Sequence, residues 1–231
     1  MILCGGRGTR LQEHTRSIPK PLVEIGGRPI VWHVVQIYAA QGLRDFLLLT
    51  GYRGEMIEAF AQATAWPEGV RVRCLDTGLE TPTGGRIHRA RAQLDGGRFL
   101  ATYADGVADI DLAALRAFHE EGGALATMTV VRPELQFGIA DLEGDRVLGF
   151  HEKPRSEHWI NGGFFVFERG ALDRIGPGDV LEREPLEGLA AEGQLRAYRH
   201  EGFWDCMDTY KDAVTLNDLW ASGAPPWKVW E

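Results

Sequence analysis

The chain has 231 residues, 44% of them hydrophobic, and a formal net charge of −8. That length buries a sizeable core in one domain, and the acidic balance argues against duplex nucleic acid or an anionic membrane as the partner. No apolar run nears the roughly eighteen residues of a membrane span and the glycine-rich opening comes too early for a secretory signal, so a cytoplasmic location is expected.

The first element is a short apolar strand that ends in Leu3 and runs into Gly5-Gly6-Arg7-Gly8-Thr9-Arg10-Leu11. Glycines let backbone N–H groups approach a phosphate, and Arg10 adds a planar charge for the outer phosphates. Next comes Ser17-Ile18-Pro19-Lys20-Pro21, which places Lys20 between two prolines on an extended, stiff mount. From Pro29 to Ala40, residues Ile30, Val34, Ile37 and Tyr38 share one helical face.

Phe46–Thr50, Phe99–Tyr103 and Ala126–Val131 read as buried strands, each closed by Gly, Asp or Pro. Asp111–Glu121 reads as a helix on Leu112, Leu115 and Phe118. Strand and helix alternate, which predicts an α/β layered fold with a mainly parallel sheet. Asp105 follows the second of these strands at its carboxyl end, the edge at which open α/β sheets bind ligands.

After Val131 the texture changes. Phe137–Ala140, Val147–His151 and Phe164–Phe167 are short strand-like pieces between turns, expected to form antiparallel β additions. Glu152-Lys153-Pro154 follows one such piece, and an acid beside an ammonium can divide a sugar phosphate between hydroxyls and phosphate. Asp208-Thr209 then offers a cap to a last helix through Val214, Leu216, Leu219 and Trp220. The tryptophan-rich tail from Trp220 to Trp230 packs either on the core or against another subunit. Cys4, Cys74 and Cys206 show no Cys-x-x-Cys spacing and the seven histidines no His-x-x-x-His pair, so neither a disulfide framework nor a zinc site is expected.

Taken in order, Gly5–Leu11, the Pro-Lys-Pro run, Thr83-Gly84-Gly85-Arg86, Tyr103–Asp109, Glu152-Lys153-Pro154, Ile160–Val166 and Met207-Asp208-Thr209 resemble the nucleotidyltransferases that activate hexose 1-phosphates, in particular the glucose-1-phosphate cytidylyltransferase branch. The segment from Glu55 to Asp76 is shorter than in that branch. The resemblance implies a Rossmann-like three-layer sandwich, with a mainly parallel mixed sheet and a small antiparallel β addition, as a single domain over 1–231. Its nucleotide-binding part would cover about 1–110 and its sugar-phosphate-binding part about 111–231.

It also implies that Leu3, Gly5, Gly6, Gly8, Thr9, Arg10, Lys20, Thr83, Gly84, Gly85 and Asp105 bind the nucleotide. Gly138, Glu152, Lys153, Asn161 and Gly162 would bind the sugar phosphate, and Asp105 and Asp208 would hold Mg²⁺. Arg10, Lys20, Asp105, Lys153 and Asp208 would carry the catalysis. The implied partners are a nucleoside triphosphate and a sugar 1-phosphate, in a homo-oligomer. Related transferases with another base or sugar, and a non-catalytic sensor on the same fold, stay open at this point. A dinucleotide-dependent oxidoreductase does not fit, because Phe46–Thr50 runs into Gly51-Tyr52-Arg53 with no acid for a ribose.

Overall fold

A computed structural model describes residues 1–11 and 17–231, with the Arg10 side chain also outside that description. The chain opens on strand β1 (Ile2–Leu3). A small hairpin, β2 (Glu24–Ile25) and β3 (Arg28–Pro29), leads into helix α1 (Ile30–Ala40). Strand β4 (Asp45–Thr50), helix α2 (Gly54–Ala63), strand β5 (Arg71–Asp76), helix α3 (Thr83–Ala90) and strand β6 (Arg98–Tyr103) follow. Then come β7 (Gly106–Ala108), α4 (Leu112–Gly122), β8 (Ala126–Val131), and the hairpin of β9 (Ile139–Glu143) and β10 (Arg146–His151). The chain ends through β11 (Ile160–Glu168), α5 (Glu184–Ala191), β12 (Leu195–Arg199), β13 (Trp204–Cys206) and α6 (Tyr210–Ala221).

Among the described residues, seven strands form one sheet in the order β12-β8-β11-β6-β1-β4-β5. Every neighbouring pair is parallel except those made by β11, which runs antiparallel to both β6 and β8. The sequence places Phe164–Phe167 among the antiparallel additions, yet this run lies inside the main sheet. Its composition explains why: Phe164, Phe165, Val166 and Phe167 are all at most 1% exposed, as a strand covered on both faces must be. The pleat sends Phe164 and Val166 into one core with α1 and α4, and Phe165 and Phe167 into the other with α3 and α5. Burying each such side chain stabilises the fold by about 1.5–3 kcal/mol. The result is the expected three-layer α/β arrangement, with the β9–β10, β7–β13 and β2–β3 pairs as small separate antiparallel additions.

Local signals set the helix ends. Asp111 caps α4 by accepting from Ala114 N at 2.8 Å, and Gly123, at φ 63°, stops it in the left-handed conformation. Thr209 and Asp212 form a capping box at the start of α6. The tail folds back onto its own chain: Trp227 is fully buried, stacks on Phe203 at 5.6 Å, and donates from Nε1 to His33 Nδ1 at 3.4 Å.

Candidate active site

Because β1, β4 and β6 are parallel neighbours, the loops after Leu3, Thr50 and Tyr103 leave the sheet at one edge. A cleft of about 310 Å³ opens there, and its lining includes Leu3, Gly5, Gly6, Gly8, Lys20, Thr83 and Asp105. Leu3 is buried, Gly6 is exposed with open space around it, and Gly8 takes φ 61°. Thr9 begins a short 3-10 turn ending in the buried Leu11. The Arg10 side chain, expected on the outer phosphates, lies outside the described residues.

Three charged side chains meet at this edge. Lys20 starts a 3-10 turn that Pro19 enters in an extended conformation and Pro21 anchors by burial. Its Nζ donates to Asp105 Oδ2 at 2.5 Å and to Asp208 Oδ1 at 2.6 Å. Burial acts to lower the Lys20 pKa, but the charges and hydrogen bonds of the two aspartates outweigh it and raise the pKa above the ordinary lysine value.

Backbone pairing brings the two acids together from opposite ends of the chain. Strands β7 and β13 pair antiparallel, with Gly106 opposite Cys206, and Met207 N donates to Asp105 O at 2.9 Å. Asp208 then leads into α6, where Asp212 Oδ2 accepts from the N–H groups of both Asp208 and Thr209, at 3.0 and 2.7 Å.

A second network runs across the cleft. Asn161 Nδ2 donates to the Tyr103 hydroxyl at 3.1 Å, and that hydroxyl donates to Glu182 Oε1. Glu182 Oε2 accepts from the Thr83 hydroxyl at 2.7 Å. Glu182 therefore joins the start of α3 to the strand that carries Asn161. Gly84 and Gly85 are not among the cleft-lining residues. They are glycines for packing, since a Cβ at either would lie 2.8 or 2.4 Å from the carbonyl oxygen of Asp179 or Pro177.

The remaining expected residues gather at the base of the β9–β10 hairpin and on β11. A Cβ on Gly138 would meet the Phe150 ring at 2.3 Å and Glu152 Oε2 at 3.0 Å. Glu152 and Lys153 are exposed and 3.7 Å apart, with Lys153 at φ 45°. Gly162 O accepts from Trp204 Nε1 at 2.8 Å.

Burial raises the pKa of Cys4, Cys74 and Cys206, Cys74 to about 11, so all three are thiols at neutral pH. Sequence reasoning did not single out Glu182 or Tyr103 as site residues. Glu182 sits in an ordinary acidic stretch before α5 and carries no local signal. Tyr103 has one, since it ends the same strand that Asp105 follows.

A strand-end cleft with a glycine loop and a lysine held between two carboxylates defines a nucleotide-handling α/β enzyme, and the chain belongs to the nucleotidyl transferase family, whose profile matches residues 1–220. It is 41% identical over 252 residues to a Bacillus subtilis protein named as a probable glucose-1-phosphate cytidylyltransferase, covering 100% of this chain and 99% of the relative. It is 42% identical over 254 residues to the glucose-1-phosphate cytidylyltransferase of Salmonella typhi, with the same coverage. The crystal structure of HddC from Yersinia pseudotuberculosis shares the fold, with a TM-score of 0.74 at 21% identity over 95% of this chain and 97% of that one.

Proposed function

We propose that the protein transfers a cytidylyl group from CTP to glucose 1-phosphate, releasing pyrophosphate. The observation that carries the reading is the convergence of Lys20, Asp105 and Asp208 on one point at the edge of the cleft, together with relatives named as cytidylyltransferases that align over the whole chain. In this reading residues 1–110 bind mainly the nucleotide and 111–231 mainly the sugar phosphate. The protein acts as a cytoplasmic homo-oligomer; among the described residues no helix is long and apolar enough to cross a membrane.

A phosphate oxygen of the sugar 1-phosphate attacks the α-phosphorus of CTP, forming the new P–O bond as the bond to the pyrophosphate oxygen breaks. The nucleophile is already anionic, so the reaction needs no general base. What it needs is alignment of two anions that repel each other. Backbone N–H groups of Gly5, Gly6, Gly8 and Thr9, with Arg10, hold the triphosphate; Lys20 neutralises charge on its phosphates. Thr83 borders the base from the cleft wall, while Gly84 and Gly85 act only indirectly, by letting the start of α3 pack closely on Asp179 and Pro177. Gly138, Glu152, Lys153, Asn161 and Gly162 receive the acceptor, with Lys153 drawing in its phosphate.

Asp105 and Asp208 suit Mg²⁺, which takes one or two protein carboxylates and fills the rest of its shell with water and phosphate oxygens. Among the described residues no group of three or more His, Cys, Asp or Glu could hold a metal ion, so these two carboxylates would be the protein's whole contribution to the shell. When bound there, Mg²⁺ supplies Lewis-acid polarisation and charge neutralisation of the phosphate oxygens.

The test is pyrophosphate release across the common nucleoside triphosphates with glucose 1-phosphate as acceptor. CTP should give the fastest release, and Asp105→Ala should lower it at least about a hundredfold while leaving the melting temperature nearly unchanged. Wild-type turnover in that variant removes the catalytic role of Asp105, and faster release with another triphosphate removes the cytidylyl assignment.

A further inference from the structure

Arg86, on α3, is only 4% exposed and reaches under the glycine loop. Its Nη1 shares two N–H groups among Thr50 O at 2.8 Å, Thr77 Oγ1 at 2.7 Å and Gly78 O at 2.9 Å, and its Nη2 donates to Gly5 O at 3.0 Å and Leu79 O at 3.3 Å. These acceptors belong to the ends of β1, β4 and β5, so one side chain ties together three loops at the ligand-binding edge. Two glycines make room for it: a Cβ at Gly5 would lie 2.0 Å from Nη1, and one at Gly51 2.5 Å from it.

Every one of these acceptors is neutral. A buried ion is costly unless it is both hydrogen-bonded and paired with opposite charge, and Arg86 meets only the first condition within its hydrogen-bonding shell. Burial pulls its pKa below the ordinary arginine value, with the more distant Asp76 acting against that pull. A guanidinium does not lose its proton in a protein, so the site keeps a fixed positive charge.

The pinned carbonyl also has a direction. Gly5 C=O and Gly6 N–H belong to one planar trans peptide and point oppositely. Arg86 Nη2 and the Tyr52 N–H, which donates to the same oxygen at 3.1 Å, together hold the carbonyl inward, so the Gly6 N–H points the other way, away from Arg86.

We propose that Arg86 is the positioning residue of the nucleotide cleft, aiming the glycine-loop N–H groups at the triphosphate and supplying a fixed charge behind them. This rests on the reading of the cleft as the triphosphate site. The signature is an effect that grows with ligand charge.

The experiment is calorimetric binding of CTP and of uncharged cytidine to wild type, Arg86→Lys and Arg86→Met, with thermal melts to confirm folding. Arg86→Met should weaken CTP about thirtyfold or more but cytidine by no more than about threefold. Arg86→Lys, which keeps the charge but not the fork, should fall between wild type and Arg86→Met for CTP. Should both Arg86 variants fail to fold, Thr77→Val removes one acceptor of the five and should weaken CTP about threefold with cytidine unchanged. Equal loss for both ligands, or wild-type CTP affinity in a folded variant, overturns the proposal. A wild-type protein that binds no CTP overturns the reading of the cleft as well.

Discussion

Replacing Lys20 with methionine keeps an apolar stem but removes the ammonium that separates Asp105 from Asp208. The two facing oxygens stand at most the two contacts end to end apart, about 5 Å, where like charges repel by about 1–3 kcal/mol for an effective dielectric between 80 and 20. The aspartates are 27% and 33% exposed, so water damps the repulsion and the middle of that range, about 1.5 kcal/mol, is the working figure. In the wild type, Lys20 competes with any cation for the same two oxygens. In Lys20→Met an incoming cation relieves the repulsion instead, so the variant should bind Mn²⁺, used as a probe without nucleotide, about tenfold more tightly. Its melting temperature should rise more on adding the metal than that of wild type. Turnover should nonetheless fall about a hundredfold or more, because the charge proposed to steady the phosphates is gone.

The assays are electron spin resonance of free Mn²⁺ and thermal melts with and without metal at pH 7–8. Lys20 has a raised folded pKa, so its stabilisation is complete below the unfolded lysine value and is lost only as pH climbs through the folded one. The ion pair is therefore constant across the assay range. Weaker or unchanged Mn²⁺ affinity in a folded Lys20→Met, or turnover near that of wild type, would refute the competition.

Two further outcomes follow from packing and capping. His33 is fully buried with its Nε2 2.9 Å from Ile25 O and its Nδ1 facing the Trp227 N–H, and burial lowers its pKa to about 4. The unfolded chain takes up the proton first, so stability should fall as pH drops from about 6.5 to about 4, by up to about 3 kcal/mol; acid melts of wild type and His33→Gln check this, since the variant should lack that phase. Thr209→Ala removes the α6 capping box and should cost about 1 kcal/mol, seen as a fall of about 2–4 °C in melting temperature.

The interior strands were legible because a strand covered on both faces carries apolar or small uncharged residues through its middle, as in β4 and β8. The edge strands were not. β5 reads Arg-Val-Arg-Cys-Leu-Asp and β12 Leu-Arg-Ala-Tyr-Arg, where charged residues interrupt the signal because each strand has only one neighbour. Helix α3 was hidden by Gly84 and Gly85, which have poor helical propensity and are there because the backbone near Asp179 approaches too closely for a side chain. In the site, strand-end chemistry pointed to Asp105 and the proline mount to Lys20. That Lys20 would sit between the two acids was not written anywhere locally, since it depends on a contact spanning 188 residues. Arg86 was visible only as the last residue of a Thr-Gly-Gly-Arg run, because the carbonyls that define its role have no side-chain identity.

The way the three charges are mounted determines which of them can move. Asp105 and Asp208 are fixed by main chain: the β7–β13 ladder, the Met207–Asp105 hydrogen bond, a fully buried Met207 and the capping box behind Asp208. Separating them would break backbone hydrogen bonds and expose an apolar side chain. Lys20 is held to them only at the end of four rotatable bonds, from a turn whose own backbone is fixed by Pro19 and Pro21. Under the proposed function, phosphates entering the cleft would meet a low-cost rearrangement, a change of Lys20 rotamer from the carboxylates to the incoming anion, while the acids stay in register.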